Sequence, residues 1–65
     1  MVIDDVIPEK HRPYLLTVPR SMGVPASAVE DIVQETFISC NGRDVDEPLT
    51  FLCVAVRNKC RSWHL

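Results

Sequence analysis

Two stretches of this chain repeat apolar or small residues at helical spacing. In residues 28–40, Val29, Ile32, Val33, Thr36, Phe37 and Cys40 fall on one side, and Glu30, Asp31, Gln34 and Glu35 fall on another. Ser27 ahead of this run, with Glu30 three residues on, predicts an N-cap completed by a capping box. Asn41-Gly42 predicts the stop. In residues 48–64, Leu49, Leu52, Cys53, Val56, Cys60 and Trp63 make one continuous apolar stripe. Asp46 is the predicted cap of this helix and Pro48 sits in its first turn. Arg57, Asn58 and Arg61 lie off the stripe.

Residues 9–22 read as a weaker helix, with an apolar face of Tyr14, Leu15, Leu16, Val18 and Met22. Pro13 is placed in or near its first turn. Pro19 inside a helix removes a hydrogen bond and clashes with the preceding turn, at about 3 kcal/mol, so a kink or break is predicted there. Gly23 is the predicted C′ residue. Val2, Ile3, Val6 and Ile7 around Asp4-Asp5 fit either a short amphipathic helix or an extended arm, ended by Pro8. The predicted architecture is all-α: a small bundle of three helices, or four if residues 2–7 coil. Residues 1–8 are the arm and residues 9–65 the helical domain.

Sixty-five residues make one domain at most. No run of eighteen apolar residues suits a membrane span. The acidic start Met1-Val2-Ile3-Asp4-Asp5 is unlike a secretory signal, so a cytoplasmic protein is expected. Cys40, Cys53 and Cys60 are odd in number and lack CxxC spacing, and read as small buried hydrophobes. Cys60 and His64 share a helix face, but two ligands do not make a structural zinc site. No metal or cofactor is expected. His11 and His64 stand far apart in sequence, no Ser or Cys has a His at motif spacing, and no glycine-rich phosphate loop occurs. Catalysis is therefore not expected.

The net charge of −2 hides an asymmetry. Residues 1–56 hold all nine acids and four cations, for −5, whereas residues 57–65 hold Arg57, Lys59 and Arg61 and no acid, for +3. A basic end on an acidic body points to two partners of opposite sign. Its plainer explanation is a helix C-terminus dressed with cations to suit its dipole. The acids of residues 30–35 likewise make either a solvated face or a dock for a basic helical surface.

Three blocks carry a resemblance: His11-Arg12-Pro13-Tyr14-Leu15-Leu16, Gly23-Val24-Pro25, and Ala28-Val29-Glu30-Asp31-Ile32-Val33-Gln34-Glu35-Thr36-Phe37. Together they resemble region 2.1–2.2 of the extracytoplasmic-function sigma factors, in the sigma-70 family. Phe51-Leu52-Cys53-Val54-Ala55-Val56-Arg57-Asn58, followed by Trp63, resembles region 2.3–2.4. The resemblance spans residues 11–65 and implies a sigma region 2 fold and a transcription initiation module. It implies that Asp31, Gln34 and Glu35 bind the β′ clamp helices of the RNA polymerase core, with Glu30 assigned to the cap. It also implies that Arg57 and Asn58 belong to the element reading the promoter −10 DNA, with Lys59 and Arg61 on phosphates. The family's base-capturing loop corresponds to about Asn41–Glu47, here about five residues shorter than usual. Asn41 and Phe51 replace an aromatic and a tryptophan common in the family. The shorter loop and net acidity leave a second reading: a sigma-like interaction module binding polymerase or an anti-sigma factor without reading DNA. The family's first helix and its region 4 have no counterpart in the chain. The apolar surface so exposed is expected to be covered by Val2, Ile3, Val6 and Ile7, or by a second copy of the chain.

Overall fold

The computed structural model describes residues 1–4 and 6–64. Three helices, α1 (Val6–Ser21), α2 (Ala26–Cys40) and α3 (Pro48–His64), each pack against the other two. The protein is an all-α three-helix bundle, as its periodicity predicts. Its core draws Leu15 and Val18 from α1, Val29, Ile32, Val33 and Phe37 from α2, and Leu52, Val56 and Cys60 from α3.

The apolar side of α2 is buried as predicted, at Val29, Ile32, Val33, Thr36, Phe37 and Cys40. The Thr36 hydroxyl donates to the Ile32 carbonyl at 2.8 Å, so its burial leaves no polar group unmet. The predicted cap is not what forms. Helix α2 starts two residues early, with Pro25 at the N-cap and no side-chain cap bond, so Ser27 is inside the helix and no capping box with Glu30 exists. Pro25, at φ −59° and ψ 145°, presents its carbonyl to the Ala28 N–H at 2.9 Å and sets the start itself.

Helix α3 spans the predicted residues. Its first bond runs from the Phe51 N–H to the Glu47 carbonyl at 2.9 Å, which makes Glu47 the N-cap instead of Asp46. Its stripe is buried at Leu52, Val56 and Cys60, half-buried at Leu49 and Cys53, and runs out at Trp63, which is 47% exposed. Trp63 thus leaves the core, and Cys53 is only half-buried. All three cysteines are free.

Helix α1 departs furthest from its sequence pattern. It begins at Val6, where the Asp4 carboxylate accepts from the Val6 and Ile7 N–H groups at 2.9 and 3.1 Å. Pro8 does not end an arm but lies in the first turn, where its missing N–H costs nothing. Pro13 lies past that turn, and the helix continues through both Pro13 and Pro19 to Ser21. Pro19 does not break it, because the last turn closes around the ring. The Val24 and Gly23 N–H groups reach back to the Pro19 and Arg20 carbonyls at 3.1 and 3.2 Å, a Schellman motif with Gly23 at φ 84°. Pro19 and Val24 are both buried at this corner.

The arm is extended. Ile3 is fully buried in the core, while Val2 and Val6 remain 53% and 71% exposed. Val2 forms an antiparallel bridge with Asp44 in the α2–α3 loop. The Ile3 N–H donates to the Arg43 carbonyl, and the Gly42 N–H donates to the Ile3 carbonyl, both at 2.8 Å. Val45 N–H donates to the Met1 carbonyl at 2.9 Å. Ile3 therefore does most of the covering, with Ile7 half-buried and Val2 and Val6 left exposed. Asp5 lies outside the described residues.

Candidate functional site

Turned away from the core stripe, the outer face of α2 collects the polar groups predicted to bind a partner. Opposite the centre of the buried stripe, helical geometry places Asp31 and Ile38 on the outward midline. Gln34 and Glu35 flank them on either side. All four residues are exposed. The structure thus brings Asp31, Gln34 and Glu35 together on one ridge, as the spacing predicts.

The two flanks are tied to neighbouring helices. Arg12 of α1 donates from Nη1 to the Gln34 Oε1 at 3.2 Å and to the Glu9 Oε1 at 3.3 Å. Its guanidinium also lies 5.8 Å from the centre of the Phe37 ring. On the other flank, Lys59 Nζ of α3 lies 3.5 Å from Glu35 Oε2. Asp31 makes no ion pair or hydrogen bond through its side chain with the described residues. Of the three acceptors on this ridge, Asp31 is therefore the one wholly open to a ligand.

The predicted nucleic-acid residues do not form one patch. Arg57, Asn58 and Arg61 share the exposed side of α3 at helical spacing, with Val54 in line. Lys59 is nearly half a turn away and faces α2. The structure therefore separates Lys59 from the other three. Lys59 instead edges a shallow groove of about 270 Å³ with Ile32, Glu35, Ser62 and Trp63.

The loop of residues 41–47 is occupied by its own chain. Its backbone groups at Gly42, Arg43 and Val45 are bonded to residues 1–3, and Arg43 stands 6.0 Å from the Phe51 ring centre. Gly42, at φ 86°, makes the sharp exit from α2 that permits this pairing.

Burial pushes the thiols of Cys40 and Cys60 up from the ordinary thiol range; at Cys40 a hydrogen bond from Ser39 and the charge of Arg43 oppose the shift in part. Neither sits where an activated nucleophile would. Among the described residues no group of three His, Cys, Asp or Glu side chains could hold a metal ion. The side chain of His64, weighed with Cys60 as a metal pair, lies outside the described residues. No helix of the described residues is long and apolar enough to cross a membrane.

Arg12 and Ile38 border the ridge without a site role assigned from the sequence. Arg12 had a signal, a cation on the border of the α1 apolar face. Ile38 had a plainer one, an aliphatic residue on the polar side of α2. Comparison of the chain with family models, with curated proteins and with solved structures finds no match.

Proposed function

We propose that this chain is a sigma region 2-like module that docks the outer ridge of α2 on the β′ clamp helices of RNA polymerase. The observation that carries the reading is the exposure of Asp31, Gln34 and Glu35 on a single ridge, with Asp31 unpaired among the described residues. Two carboxylates and an amide on one convex helix suit a basic coiled coil, whose encounter their charge would steer. The place of action would be the cytoplasm. The test is a pull-down of the β′ clamp-helix coiled coil with the wild-type chain and with Asp31→Lys/Glu35→Lys. Charge reversal should abolish capture, and undiminished capture refutes the mapping.

Promoter −10 binding is the second part of the proposal, through Arg57, Asn58 and Arg61. A narrower reading, a module that binds polymerase or an anti-sigma factor without reading DNA, is favoured by one observation. The loop that would receive a flipped base has its backbone engaged by the arm. Extruding a base already costs a few kcal/mol, and displacing the arm adds to that cost. Gel shifts with single-stranded −10 DNA separate the two. Binding that weakens with salt and with Asn58→Ala supports promoter reading; retained clamp-helix affinity without DNA binding supports the narrower module.

A further inference from the structure

The outward ridge of α2 does not end with its acids. Ile38 continues the midline one turn beyond Gln34 and Glu35 and is 68% exposed. A single exposed isoleucine needs no explanation, but this one borders a groove. Between the first turn of α1 and the C-terminal half of α2 lies a depression of about 260 Å³. Pro8, Phe37 and Ile38 supply its apolar wall, and Asp4, Glu9, Gln34 and Asn41 its polar rim. It is smaller than the roughly 300–1,000 Å³ of small-molecule sites, and suits one large side chain better than a cofactor. Its rim is acidic, and the cation beside it, Arg12, is already held by Glu9 and Gln34. A neighbouring helix bearing one apolar residue among cations complements both the shape and the charge.

We propose that this groove seats an apolar side chain of a basic helix, so that the docking face of α2 runs from Asp31 to Ile38. The proposal deepens the polymerase-binding reading and rests on it for the identity of the partner. Ile38 is exposed, so substituting it perturbs the face and leaves the core intact.

The experiment titrates the β′ clamp-helix coiled coil into the full isotope-labelled chain as wild type, Asp31→Lys, Ile38→Lys and Val54→Lys. Val54, 52% exposed on α3, is the control for adding a lysine. A Lys-rich amphipathic helical peptide with two leucines one turn apart is titrated in parallel, and circular dichroism checks that each variant is folded. Ile38→Lys should weaken clamp-helix binding about tenfold or more, and Val54→Lys should leave it unchanged. The amide signals of Phe37 and Ile38 should move in the wild type. Binding lost in Asp31→Lys but kept in Ile38→Lys overturns the seat and leaves the acidic ridge standing. Failure of the wild type to bind the coiled coil overturns the polymerase reading. The peptide then decides the seat: shifts at Phe37 and Ile38 that vanish in Ile38→Lys support it, and their absence overturns it.

Discussion

Replacing Ile3 with alanine should cost this protein a large share of its stability. Ile3 is fully buried although it precedes the first helix. The substitution removes three buried carbons, at about 0.8 kcal/mol each. The cavity left behind raises the total into the range of about 2–5 kcal/mol. A chain of this length has on the order of 3–10 kcal/mol to lose. The midpoint of thermal unfolding should fall by about 10 °C or more, at roughly 4–8 °C per kcal/mol for so small a domain. Urea titration should show an earlier midpoint with little change in slope. Val2→Ala is the matched control: Val2 is 53% exposed, and its loss should stay within about 0.5 kcal/mol. Hydrogen exchange locates the effect, because the Gly42 amide donates to the Ile3 carbonyl. That amide should exchange faster in Ile3→Ala. A cost under about 1 kcal/mol, together with unchanged Gly42 exchange, would show that the arm does not hold the loop.

Three further outcomes follow from the same structure. Cys53, half-buried, should react with a thiol reagent well before the buried Cys40 and Cys60, and urea should equalise the three. Because burial raises the folded pKa of Cys40 and Cys60, the unfolded chain ionises first. Stability should therefore be flat below the ordinary thiol value of about 8.5 and should fall as pH rises through it toward the raised folded values; stability that rose over that window would contradict the burial. Gly23→Ala meets no atom within 4 Å of the added Cβ, so its cost is the backbone's alone at φ +84°. Calorimetry should register about 1–2 kcal/mol, and no loss at all would mean that the Schellman turn is not formed.

The helices were legible because periodicity reports the face a helix buries. Val29 through Cys40 and Leu52 through Cys60 needed no knowledge of their neighbours. The ridge of Asp31, Gln34 and Glu35 was legible for the same reason, being the complement of a buried stripe. What escaped depended on contacts between segments distant in sequence. Nothing local distinguishes Ile3 from Val2 until the arm meets Arg43. Lys59 reads as one of three basic residues until Glu35 is placed opposite it. Pro19 carries a known penalty for a helix interior, but its burial beside Val24 and the turn at Gly23 offset that penalty within the fold. At the start of α2, Ser27 had suitable cap chemistry, yet Pro25 two residues earlier had already fixed the backbone.

The contact between Lys59 and Glu35 makes ligand binding to α2 and to α3 across their shared groove thermodynamically reciprocal. A ligand that takes the Glu35 carboxylate releases a cation on α3, and a ligand that takes Lys59 releases a carboxylate on α2. Each event therefore favours the other, by one shared factor. The pair is largely solvated, with side chains 44% and 63% exposed, so it is worth at most about 1 kcal/mol and screens with salt. That caps the cooperativity at roughly fivefold and makes it fade as ionic strength rises.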